Sequence, residues 1–211
     1  VMALEEYRPA TSTVIYAADS SQIAEIATEH RTPVELAAVP ETLIRAVLAI
    51  EDHTYFQHHG INISRIAKAL LVDLMAGEVK QGGSTITQQL AKLLFLTPEK
   101  KFSRKVREAI LAFEIERQYT KEEILAFYLN QIYLGNGAYG VVAGARVYFG
   151  KDLKSLTLAE CALLASLPRA PSAYDPFRHP EAALERRNVV LRRMQELEWI
   201  TEAEANAALA Q

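Results

Sequence analysis

From Pro40 to the C-terminus the apolar residues of this chain return at helical intervals, and that periodicity restricts it to a mainly α fold. Pro40 is a favoured first-turn residue. Leu43, Ile44, Val47, Leu48 and Ile50 follow it, which predicts a buried helix over 41–51 that delivers Glu51 at its end. The same pattern predicts helices over 63–76, 85–95, 103–118, 121–128, 139–148, 157–166, 180–198 and 201–210. Ser103 and Thr120 stand as N-caps, with Glu123 completing a capping box after Thr120. Loops fall at 77–83, 97–101, 135–137 and 169–178, the last rich in proline. The start of the chain is the exception. Ser12 to Tyr16 and Ile23 to Thr28 are β-prone and flank Asp19-Ser20-Ser21, which suits a short N-terminal β-hairpin. With 211 residues, 50% of them hydrophobic, the chain buries one good core, or a large lobe with a small one.

In the segment over 63–76, Ile63, Ile66, Ala67, Leu70, Leu71, Leu74 and Met75 share one face, while Arg65, Lys68 and Asp73 take the other. A core-facing helix is the first reading. The second is a helix lying in a membrane interface, joined there by Leu93, Leu94, Phe95 and Leu96 and by Lys80, Lys100 and Lys101. No run of 18 apolar residues exists, and the N-terminus lacks a signal-peptide pattern. Val1 opens directly onto mature-looking sequence, so an anchor or export signal is expected upstream. Cys161 lies in an Ala/Leu-rich helix, where a small buried thiol is the natural role.

Charge is unevenly placed. Between Lys80 and Arg107 stand seven Lys or Arg and one acid, Glu99, so this stretch is +6 in a chain whose formal net charge is −3. Such an imbalance reads as an anion-binding site on an acidic protein. Glu51 lies upstream of the basic run and Glu108 closes it, with Gly82-Gly83-Ser84-Thr85-Ile86-Thr87-Gln88-Gln89 between them. Two carboxylates around a cationic, hydroxyl- and amide-rich segment point to chemistry on a phosphorylated sugar. A diphosphate departs without a proton when cations match its developing charge, whereas a sugar hydroxyl needs a general acid. The cations therefore favour transfer from a sugar diphosphate.

Two other motifs are weaker. His53, His58 and His59 follow Glu51 and Asp52, yet no H-E-x-x-H or cysteine pairing accompanies them, so they are read as ordering the loop by hydrogen bonding. Gly77 to Ser84 nearly matches a phosphate-binding P-loop but has Gly83 where the lysine belongs. What remains is a set of donors (Ser84, Thr85, Thr87, Gln88, Gln89) at a helix start. Arg104 and Lys105 precede Glu108 by four and three residues, so the three share a helix face.

Five ordered segments carry a family resemblance: Glu51-Asp52 with His58 and Gly60; Gly82 to Gln89; Arg104-Lys105 with Glu108; Lys121, Ile124, Leu125 and Tyr128-Leu129-Asn130; and Arg186-Arg187 with Val190-Leu191. Together they resemble the motifs of the peptidoglycan glycosyltransferases, the polymerising domains of class A penicillin-binding proteins and of monofunctional transglycosylases. Tyr55 departs from the usual Phe, a conservative change. The resemblance implies a lysozyme-like large helical lobe over 39–211, a smaller membrane-associated jaw lobe at about 61–100, and a hairpin and linker over 1–38. It further implies extension of β-1,4-linked glycan strands from lipid II, with the growing chain as donor and inversion at its anomeric carbon. Glu51 would be the general base. Glu108 would assist at the diphosphate through a divalent cation such as Mg2+. Lys92, Lys100, Arg104 and Lys105 would hold diphosphates, with Ser84, Thr87, Gln89 and Tyr133 shaping the donor side and Asn130 and Arg186 supporting the fold. The implied partners are lipid II, the growing glycan and the membrane surface, with no nucleic acid and with a transpeptidase domain downstream in a longer parent. The chain lacks the Ser-x-x-Lys and Lys-Thr-Gly of such a transpeptidase. A lysozyme-type peptidoglycan-cleaving enzyme and a non-catalytic precursor-binding module are the alternatives.

Overall fold

A computed structural model describes residues 13–16, 22–26, 30–62, 83–95 and 102–211. The helix expected at 63–76, most of the expected jaw lobe, the P-loop-like Gly77 to Gly82, and Lys100 lie outside these residues. Among those described, eight α-helices dominate: α1 (Glu41–Glu51), α2 (Ile86–Phe95), α3 (Phe102–Gln118), α4 (Lys121–Gln131), α5 (Val141–Phe149), α6 (Leu158–Ser166), α7 (Pro180–Glu196) and α8 (Glu202–Leu209). α3 begins at Phe102, which puts Ser103 inside its first turn and not at the cap. No helix among them is long and apolar enough to cross a membrane.

The expected hairpin forms from β1 (Thr13–Tyr16) and β2 (Gln22–Ile26), antiparallel with Thr13 opposite Ile26. A second, three-stranded sheet was not expected. In it β3 (His30–Arg31) runs parallel to β5 (Ala138–Tyr139), which pairs antiparallel with β4 (Tyr133–Gly135). Asn136 and Gly137 connect β4 to β5 with φ of 48° and 74°. Both angles fit a type I′ turn, which Asn-Gly supplies at little steric cost.

α1 sits between α6 and α7. It buries Leu43, Ala46 and Val47 at i, i+3, i+4, so one stripe of the helix faces the core. Burial of side chains the size of Leu43 or Val47 is worth about 1.5–3 kcal/mol each. That packing fixes the helix whose last residue is Glu51. Cys161 is fully buried on α6, as its surroundings imply, and burial pushes its thiol up to about 12.

Three helices start on capping boxes. Thr120 with Glu123 was expected; Thr157 with Glu160 and Thr201 with Glu204 repeat the device. A fourth opens α2, where Thr85 Oγ1 accepts from Gln88 N at 3.1 Å and Gln88 Oε1 accepts from Thr85 N at 3.0 Å. Asn130, on α4, donates to Val34 O and accepts from Val34 N, both at 2.8 Å, and so ties the segment before α1 to the helical body.

Candidate active site

The site is assembled at the junction of α1 and α2. Asp52, completely buried, accepts from the backbone N–H of Ile86 at 3.2 Å, so the residue after Glu51 clasps the start of α2. The helix N-terminus carries partial positive charge, which a carboxylate complements. His58 Nε2 lies 2.9 Å from the same carboxylate oxygen, and the imidazole N–H donates to it. Of the three histidines, His58 therefore orders the loop as expected. Thr85 Oγ1 donates to Gly60 O at 2.6 Å and closes the other side of this loop.

With that junction fixed, Gln89 on α2 reaches Glu51 and donates from Nε2 to Oε2 at 2.7 Å. Tyr128, from α4, donates its hydroxyl to Gln89 Oε1 at 3.2 Å. On α3, Glu108 is buried although it is ionisable, which is tolerated because both oxygens are engaged. Arg104 Nε donates to one at 3.1 Å and Lys105 Nζ to the other at 2.5 Å. Lys105 Nζ also reaches Ser84 Oγ at 2.7 Å, tying the cationic helix to the start of α2.

Six of these side chains, with Lys92, border one cleft of about 390 Å³. Glu51, Ser84, Gln89, Lys92, Arg104, Lys105 and Glu108 all border it, so seven of the ten expected site residues meet there. Thr87 does not line it. Its side chain is buried on another face of α2 and donates to Glu116 Oε1 at 2.5 Å, a structural bond between α2 and α3. Tyr133, on β4, is also outside the lining, with its ring centroid 4.8 Å from that of Tyr139. Thr85 and Gln88, read in the sequence as donors for an anion, are largely buried and bonded to each other in the cap of α2, although Gln88 also borders the cleft.

Four cleft residues were not expected as such: Ile50 of α1, Pro168 and Arg169, in the turn after α6, and Arg186 of α7. Arg186, expected to support the fold, borders the cleft as well, and its neighbour packs elsewhere. Arg187 is buried and donates to Leu209 O at 3.3 Å, pinning α7 to the end of α8. Arg186 lies across the Tyr174 ring at 5.8 Å, and burial, with the nearby Arg169 charge, holds it below the usual guanidinium value.

As for a metal, no group of three or more His, Cys, Asp or Glu among the described residues could hold one alone. Glu108 gives one lone pair to each neighbouring cation and keeps others. That donor set fits a hard divalent ion only as a ligand shared with substrate phosphate oxygens, the usual mode for Mg2+.

Residues 19–195 match the transglycosylase family. The chain is 50% identical over 198 residues to penicillin-binding protein 1A of Aquifex aeolicus, covering 94% of this chain and 27% of that protein. It is 51% identical over 195 residues to the Haemophilus influenzae protein of the same name, covering 92% and 23%. The crystal structure of that Haemophilus protein aligns with a TM-score of 0.57 and 33% identity, over 95% of this chain and 20% of that one. The chain thus spans about a quarter of the length of the curated relatives it matches. A cleft with a carboxylate on one wall and carboxylate-anchored cations on the other agrees with the match over most of the sequence: the chain belongs to the transglycosylase family, as the domain found in class A penicillin-binding proteins.

Proposed function

We propose that this chain is a peptidoglycan glycosyltransferase that polymerises lipid II into β-1,4-linked glycan strands, inverting the donor anomeric carbon and releasing undecaprenyl diphosphate. The observation that carries this reading is the shared cleft, in which Glu51 and the Arg104–Lys105–Glu108 cluster face one space. Glu51 takes the proton from the acceptor's 4-hydroxyl as that oxygen attacks the anomeric carbon. The bond from that carbon to the diphosphate oxygen breaks, and its electron pair leaves with the diphosphate. Arg104 and Lys105, held in place by Glu108, match the charge that develops there, as does Lys92. A divalent cation such as Mg2+, held between Glu108 and the diphosphate, would supply further charge neutralisation when bound. Hydrolysis of a glycosidic bond would make no use of these cations, which disfavours a lysozyme-type reaction.

The membrane surface is the proposed setting, on the outer face where a lipid-linked precursor is presented. A parent about four times as long as this chain has room for an anchor and for a downstream transpeptidase domain. The test is Glu51→Gln in a lipid II polymerisation assay that separates polymer from monomer. The expected result is a loss of turnover of at least about 10³-fold with an unchanged circular dichroism spectrum, since the neutral amide accepts no proton. Wild-type turnover by Glu51→Gln would remove Glu51 from the base role.

A further inference from the structure

We propose that the buried hydroxyl of Tyr128 is a positioning element for the general base, acting through Gln89 to keep an amide N–H, and not an amide oxygen, against Glu51. This inference rests on the reading of Glu51 as the base and deepens it.

A glutamine side chain is two-faced. One end donates and the other accepts, and the two orientations fill nearly the same space. With its nitrogen on Glu51, as found here at 2.7 Å, Gln89 stabilises the ionised carboxylate that a base requires. Turned over, its oxygen would face the carboxylate, and the pair could bond only with a proton between them, so the base would begin the reaction already occupied. Glu51 by itself does not select between the two, because a protonated carboxyl accommodates the turned amide.

The selection comes from the other end of the amide. Tyr128 is fully buried, and its hydroxyl donates to Gln89 Oε1 at 3.2 Å. Burial, and next the Glu51 charge, raise the phenol well above its ordinary range, so the hydroxyl keeps the proton it donates. The ring is held by its own packing. Tyr128 belongs to the apolar core with Leu125 and Leu129 of α4 and with Leu90 of α2, so its oxygen is delivered by two packed helices. The result is a directional chain, with phenol O–H to amide oxygen and amide N–H to carboxylate. It crosses from α4 through α2 to the last residue of α1.

The experiment is the pH dependence of kcat for lipid II polymerisation in wild type and Tyr128→Phe, which keeps the ring and removes the oxygen. The other charged groups around Glu51 are untouched by the change. They are Asp52 beside it, Lys92 of α2, Arg104, Lys105 and Glu108 of α3, Arg169 after α6 and Arg186 of α7. A hydrogen bond donated to the ionised form lowers a carboxyl's proton affinity, so weakening it raises that affinity. The acidic limb of the profile is expected to move up by about half to one pH unit, with kcat down about three- to tenfold below the limb and largely recovered above it. KM is expected to stay within about twofold, because the phenol touches no substrate. In a Gln89→Met background, adding Tyr128→Phe should cost nothing further, since the path through the amide is already cut.

An unmoved acidic limb, or a Tyr128→Phe penalty that persists in full beside Gln89→Met, overturns the proposal. If Tyr128→Phe does not fold, Gln89→Met alone must show the upward displacement, and its absence overturns the proposal equally. Failure of the base assignment is recognised separately, by wild-type turnover in Glu51→Gln.

Discussion

Gly60 shows how far a single position can constrain the site. It sits at φ +78°, and a Cβ there would meet the carbonyl oxygen of Ala112 on α3 at 2.9 Å, while its own carbonyl takes the Thr85 hydroxyl. Gly60→Ala is expected to cost about 1–3 kcal/mol, read as a lower denaturant midpoint with an unchanged slope. An alanine variant as stable as wild type would show that this loop gives way easily. The residues that carry charge were readable because charge is scarce inside a protein. Glu51 ends an apolar helix and Glu108 follows a cationic pair, and both patterns survive translation into the cleft. Orientation was harder to read. Adjacent helical residues point about 100° apart, and the pair Arg186-Arg187 does not say which member faces the cleft. Thr87 was misassigned for a related reason: a hydroxyl advertises a donor without saying which side of α2 presents it. Arg169 ends a 3-10 helix of three residues, Leu167–Arg169, too short for a period to orient its side chain in the sequence.

Among the elements, α2, α3 and α4 meet over one partly buried ion pair. Glu116 of α3 accepts from Lys121 Nζ at 2.6 Å and from Thr87 Oγ1, and Lys121, at the start of α4, lies 4.3 Å from the Tyr55 ring centroid. Removing one partner strands the other charge in a partly shielded place, so Lys121→Met is expected to cost about 1–3 kcal/mol. Adding Glu116→Leu should restore a large part of that loss, because no charge then remains unpaired. Chemical denaturation of the single and double variants measures both, and a double variant weaker than Lys121→Met would refute the account. Among the described residues helices were legible to within about three residues of their ends, since apolar spacing marks them where a cap such as Ser103 fails. α1 spans 41–51 as its pattern implies, and the Thr120–Glu123 box opens α4. The small sheet was missed although Asn136-Gly137 is a strong hairpin signal, because two- and three-residue strands are too short to show alternation. The parallel pairing of β3 with β5 joins segments about a hundred residues apart, and no local pattern encodes it.

For the molecule as a whole, the cleft draws its lining from the end of α1, from α2 and α3, from the turn after α6 and from α7. Five of its lining side chains are Lys or Arg and two are Glu, so the lining carries +3 and the rest of a chain of net charge −3 carries −6. An acidic exterior around a cationic cleft repels anions in general and admits those that can reach the interior, which favours a diphosphate displayed on a long tether. Inorganic pyrophosphate offers the same two linked phosphates, with more negative charge, without the sugar or the lipid, and it is therefore expected to inhibit competitively with the donor. Because Arg104 and Lys105 are only partly shielded, salt should weaken that inhibition. The inhibition constant should rise by about three- to tenfold between 50 and 500 mM NaCl, while kcat changes less. Arg104→Ala should raise it at low salt and flatten its salt dependence, because one of the screened contacts is gone. Salt-independent inhibition, or an Arg104→Ala curve parallel to wild type, would move the diphosphate away from α3 and leave the cationic run a solvated helix face.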